Sequence, residues 1–217
     1  LRDPSVGTVR FYRNTENSVW GTVVEDWAER NRYMGAESTE IEVPAVDFNE
    51  CLGTYGVPHY LKIDIEGMDL VCCEALADAD DRPSYLSIES NKVDFSALVR
   101  EIELLSNLGY DSFKAVQQSG IWRQREPRAS REKQYVGQKF EHGSSGLFGA
   151  DLGGKWLTKD DVIAEYRKIF HLYRWFGEKS FLRALPLSRY AFGLLDRVGL
   201  PLPGWYDTHA RHSSVRS

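Results

Sequence analysis

"YLKIDIEGMDL", residues 60–70, decides the fold. Leu61, Ile63 and Ile65 alternate with Lys62, Asp64 and Glu66, the two-residue period of an extended strand with one apolar and one charged face. Gly67 then permits a tight turn, and Leu70, Val71, Ala75 and Leu76 give residues 68–77 a helical apolar spacing. Strand, glycine and helix in that order open an α/β unit. Burying an unpaired carboxylate costs several kcal/mol, so the charged face must meet a crevice, a partner or a metal. The plain structural alternative is an edge strand with a wet face, with Lys62 paired to a neighbouring strand.

Working outward, Tyr85–Glu89 reads as a second strand. Asp94 caps a helix carrying Phe95, Leu98, Val99, Ile102, Leu105 and Leu108, and Gly109 stops it. Residues 110–116 read as a third strand and 134–140 as a fourth, joined by a polar, arginine-rich segment. Upstream, 8–14 and 39–48 suggest strands, the latter interrupted at Pro44, while 20–33 lacks clean periodicity and reads as loop or short helix. Downstream, "EHGSSGLFGADLGGKW" (141–156) is loop. Thr158 and Asp161 form a capping box before Val162, Ile163, Tyr166, Ile169, Phe170 and Tyr173, and 181–198 suggests a further helix. The end, "LPLPGWYDTHARHSSVRS", reads as a turn and a polar tail stapled by Trp205 or, with Trp205, Tyr206, Asp207, His209 and His212 gathered in nine residues, as a segment folding back over a polar site. This texture separates an α/β domain, 1–150, from a helical extension and tail, 151–217.

With 42% hydrophobic residues in 217, the chain can bury a real core. A formal net charge of −5 argues against a polyphosphate backbone, and hence nucleic acid, as main partner. The basic runs 123–133 and 211–216 read as a solvated face and a chain end. Three cysteines, two adjacent at Cys72 and Cys73, suit neither a disulfide framework nor a zinc site and point to a reducing, cytoplasmic compartment. No apolar run is long enough to span a bilayer. The opening at Leu1 reads like the middle of a domain, so an N-terminal part is expected upstream.

The stretch "VPAVDFNECLGTYGVPHYLKIDIEGMDLVCCEAL", residues 43–76, resembles the central segment of the FkbM-type methyltransferases, whose wording is K-I-D-(V/I)-E-G followed by an amphipathic helix. "RPSYLSIES" (82–90) is similar to that family's next strand, which ends in an acid. The resemblance covers roughly residues 5–120. It implies a class I, Rossmann-like α/β methyltransferase fold, a mostly parallel sheet with an antiparallel last strand, binding S-adenosylmethionine. It also implies methyl transfer to an oxygen of a sugar or small molecule. By position, Asp64 would lie near the methionine end of the cofactor with Gly67 in the adjoining turn. Glu66 would sit beside Asp64, and Glu89 would close the site. The family's D-x-G-A-N-x-G turn and its ribose-holding acid do not occur in this chain. The expectation is therefore a fold lacking its first βαβ unit, part of a longer enzyme, or else a degenerate module that binds without catalysis.

The residue types suit the chemistry. Aligning donor and acceptor is worth roughly 7–11 kcal/mol, and a carboxylate taking the acceptor's proton adds about 10²–10⁴-fold. Asp64 or Glu66 is the candidate base. A divalent cation on the same acids is the less favoured option, and a metal-dependent hydrolase would add His142 or His209 as ligand. "HGSSG" offers His142, Ser144 and Ser145 to cover a small-molecule or glycan acceptor, or is a surface connection. Oligomeric state is not legible.

Overall fold

A computed structural model of the chain describes residues 7–16, 20–65, 67–132, 134–141, 143–176 and 204–215. By contacts it divides into two compact units, Leu1–Pro83 and Ser84–Ser217.

In the first unit, β1 (Thr8–Asn14) and β2 (Ser38–Pro44) pair antiparallel, from Thr8 opposite Pro44 to Asn14 opposite Ser38. β2 ends at Pro44, which has no amide hydrogen to extend a ladder. The stretch without clean periodicity contains a helix, α1 (Glu25–Tyr33), which buries Ala28 and Asn31. Its register is set by a side chain rather than by an apolar stripe: Asn31 Nδ2 donates to Trp20 O at 3.1 Å. Asp47 caps α2 (Phe48–Tyr55), its Oδ1 accepting from the Asn49 and Glu50 amides at 2.7 and 3.3 Å. The decisive stretch forms β3 (Tyr60–Ile63), a turn, and α3 (Asp69–Ala75), which tightens into a 3-10 turn at Leu76–Asp78.

In the second unit, β4 (Tyr85–Glu89), β6 (Tyr206–His212) and β5 (Tyr110–Gln117) hydrogen-bond in that order. β6 runs antiparallel to both neighbours, so β4 and β5 point the same way. α4 (Phe95–Asn107) is capped by Asp94, whose Oδ1 accepts from Ser96 N at 2.8 Å. It turns Leu98, Ile102 and Leu105, each 0% exposed, toward the core. α5 (Lys159–Phe176) starts at the expected capping box: Thr158 Oγ1 accepts from Asp161 N (3.2 Å) and donates to Asp161 Oδ2 (2.8 Å). α5 buries Val162, Tyr166 and Ile169, and with Leu86, Ile88, Tyr110, Phe113 and Ala210 of the sheet these complete an apolar layer.

Two readings of the sequence are corrected. Residues 134–140 make only a single bridge, Arg125 with Lys139, because Gly137 turns the chain at φ +71°. The supposed polar tail is β6, the strand between β4 and β5; backbone ladders hold it, and Trp205 stands 45% exposed at its entrance. The helix expected at 181–198 lies outside the described residues.

Candidate active site

Asp64 follows the last residue of β3, so it stands at that strand's carboxyl end. Lys62 and Asp64 share a face of the extended chain, and their side chains pair at 3.3 Å. The charged face is therefore internally matched in part, with Lys62 22% and Asp64 45% exposed at the side chain. The turn is closed by Asp69 Oδ1, which accepts from Ile65 N at 3.2 Å. Gly67 is required twice over. Its φ of +100° is a conformation that side chains rarely adopt, and a Cβ there would meet Trp27 Cε2 and Val24 Cγ2 at 3.2 Å. The glycine thus lets the turn lie against α1, which fixes the direction in which the strand end faces. Glu66 lies outside the described residues.

Glu89 ends β4 in the second unit. Lys92 Nζ approaches its Oε1 at 3.4 Å, and its side chain is 25% exposed. Across the ladder it stands opposite Asp207 of β6, which is 2% exposed, so two carboxylates share one face at this strand end. Immediately beyond, Ser90, Tyr166 and Thr208 close a triangle of hydroxyls: Ser90 to Tyr166 2.6 Å, Ser90 to Thr208 2.8 Å, Tyr166 to Thr208 2.7 Å. Each hydroxyl can donate once and accept once around the ring, so all three are satisfied without water. Burial pushes the Tyr166 hydroxyl well above its ordinary pKa, which keeps the triangle protonated. Tyr173 and Tyr206 are also shifted up, chiefly by burial; Tyr206 and Glu89 reinforce the shift at Tyr173.

The 143–147 loop is packed down rather than free. Leu147 N donates to Gln124 Oε1 at 2.8 Å, and a Cβ on Gly146 would strike Ile121 and Gln124. Ser144 Oγ accepts from Glu141 N at 2.9 Å, closing its own turn, while Ser145 is exposed. His142 lies outside the described residues. His209 is buried in the middle of β6, opposite Ser87 and Lys114. Among the described residues no three His, Cys, Asp or Glu side chains gather to hold a metal ion. Nor is any described helix long and apolar enough to cross a membrane.

Residues 4–112 match the family model of the methyltransferase FkbM domain. The chain belongs to the FkbM methyltransferase family. No curated protein and no solved structure matches it. The match shows a methyltransferase with a methyltransferase-like α/β fold. It contains β1 to β4 and reaches the start of β5, so Asp64, Gly67 and Glu89 all fall inside the FkbM region, whereas β6, α5 and the 143–147 loop fall outside it. Asp207 is the residue that the sequence did not single out for the β4 end. Its signal was an acid in a short stretch dense in aromatic and histidine residues, "GWYDTHARH".

Proposed function

We propose that this FkbM methyltransferase transfers a methyl group from S-adenosylmethionine to an oxygen atom of a sugar or small molecule, in a class I, Rossmann-like fold. One observation carries the reading: the family's acid-acid-glycine wording stands at the carboxyl end of β3, where open α/β sheets bind ligands, with its glycine in the strained turn that only glycine accommodates. The antiparallel β6 between β4 and β5 supports it, since the class ends in an antiparallel last strand.

The residues present fit one end of such a cofactor. A carboxylate already neutralised in part by Lys62, yet nearly half exposed, can face a sulfonium without a large desolvation cost. Bound S-adenosylmethionine supplies an electrophilic methyl on a positively charged sulfur. Asp64 would hold the acceptor hydroxyl in line and take its proton as that oxygen forms its bond to the methyl and the methyl's bond to sulfur breaks, with Glu66 as the alternative base. Glu89 as a further acid and His142, Ser144 and Ser145 as the acceptor's cover stay expectations from the sequence, since all four belong to the second unit. Trp27 and Val24, close against Gly67, support the turn that follows the strand end.

Isothermal titration of the intact protein with S-adenosylmethionine tests the reading directly. Heat that disappears in Asp64→Asn supports it. No heat at millimolar ligand sinks it in favour of a non-catalytic binding module.

A further inference from the structure

The arginine-rich segment has more structure than a solvated face. Beyond the carboxyl end of β5 the chain makes a 3-10 helix, Gln118–Arg123, and then doubles back, bridging Arg125 to Lys139 in antiparallel fashion. The doubled segment borders a half-open cleft of about 400 Å³ whose lining includes Trp122, Arg125, Glu126, Arg128, Tyr135 and Lys139. That volume lies within the roughly 300–1,000 Å³ of small-molecule sites.

The charges in the cleft are unbalanced in a particular way. Residues opposite one another across an antiparallel bridge bring their Cβ atoms to within about 4.5–5.5 Å, and like charges there repel. Arg125 and Lys139 are such a pair, and among the described residues neither they nor Arg128 enter an ion pair. Glu126 does not offset them from an open position. It is 7% exposed, and its two carboxylate oxygens accept from Val136 N (3.1 Å) and Gln138 N (2.7 Å), which ties the returning segment in place. Arg125 is likewise preorganised: Nη1 donates to Trp122 O and Gln124 O at 3.1 and 2.8 Å, fixing the guanidinium while its remaining donors stay available. The same lining holds two exposed rings, Tyr135 at 47% and Trp122 at 38%, the latter with the Arg123 guanidinium 4.7 Å from its centroid on one face.

We infer that this cleft is a binding site for an anionic, monosaccharide-sized ring compound, a sugar acid or sugar phosphate. The aromatic rings pack against the apolar face of the ring, and Arg125, Arg128 and Lys139 take the carboxylate or phosphate through charge-assisted hydrogen bonds. All of the cleft's lining lies beyond residue 112, outside the family match, so the site is a property of this chain's own continuation.

Calorimetric titration of the intact protein with glucuronate, glucose 6-phosphate, glucose and inorganic phosphate, without methyl donor, tests it independently of the methyl-transfer reading. One or both anionic sugars bind at least tenfold tighter than glucose and than inorganic phosphate. Arg125→Gln and Lys139→Gln each weaken that binding about tenfold or more, and Trp122→Ala does so by a comparable factor. The stronger of the two sugars names the anion. Lys139 is exposed, so its variant keeps the fold and separates lost binding from lost structure. The inference is overturned if neither anionic sugar binds at millimolar concentration, if glucose binds as well, or if phosphate alone binds as tightly as its sugar ester.

Discussion

Two strand ends invite comparison. β3 and β4 each finish in an acid, Asp64 after the one and Glu89 within the other, and a lysine approaches each at 3.3 and 3.4 Å. Beyond Asp64 the chain opens into a glycine turn with Ile65 44% exposed; beyond Glu89 it closes at once into Ser90, whose hydroxyl is locked to Tyr166 and Thr208. The same local pattern thus serves opposite ends. The open one keeps a charge where a ligand can reach it, and the closed one uses polar groups to weld β4, β6 and α5 together. Stability should therefore be concentrated at the β4 end and activity at the β3 end.

The sharpest way to break that contrast is Asp64→Asn. Methyl transfer should fall by about 10²–10⁴, while the partly exposed pair with Lys62 is worth only about 0–1 kcal/mol, so the unfolding midpoint should hardly move. A loss of stability with activity retained would reverse the assignment. At the other end, Ile88→Ala should cost about 2–5 kcal/mol in denaturant unfolding, because the side chain is 0% exposed in a layer that cannot collapse around it. Tyr166→Phe removes one member of the hydroxyl triangle and leaves Ser90 and Thr208 a partner short. A cost of about 1–3 kcal/mol follows, and a neutral result would mean that the triangle welds nothing. Gly67→Ala should cost about 1–2 kcal/mol for the forbidden backbone conformation alone, and it should lower activity as well, since the turn must back away from Trp27 and Val24.

What could be read from the chain follows the same division. Helices α4 and α5 were legible because caps and apolar spacing agree, Asp94 with Leu98 and Ile102, Thr158 with Val162 and Tyr166. β3 and its glycine were legible because the two-residue alternation runs straight into a glycine, although the strand itself ends at Ile63, before the alternation does. β6 was not. Asp207, Thr208 and His209 read as a solvated tail, yet all are at most 2% exposed, because polar residues can be buried wherever partners distant in sequence satisfy them. Composition records the polarity and not the partner. For the same reason Asp64 and Glu89 could be picked out as candidates, whereas Asp207, which faces Glu89 only through the ladder, could not be placed beside it. The 134–140 stretch misled in the opposite sense: its alternation is strand-like, but Gly137 and the carboxylate of Glu126 bend it around a cleft.

The smallest expected effect lies on the other face of the β4–β6–β5 sheet, where Lys114 is 5% exposed and donates to Leu152 O and Gly153 O, with its ammonium 4.4 Å from the Trp156 ring. Burial, then the nearby Arg211 and Arg131, lower its pKa from 10.5 to about 8. The folded chain therefore releases this proton earlier than the unfolded one, so between about pH 8 and 10 the unfolded state binds more protons and stability rises with pH. Above pH 10 the sign reverses, because Tyr85, Tyr166, Tyr173 and Tyr206 all hold their protons longer folded than the ordinary value of 10.0 allows. Thermal midpoints followed across this range should pass through a shallow maximum near pH 10, and Lys114→Met should flatten the rising limb while sparing the fall. A rising limb that survives the substitution would show that Lys114 keeps its proton in the fold, and that the carbonyls of Leu152 and Gly153 with the Trp156 ring compensate for its burial.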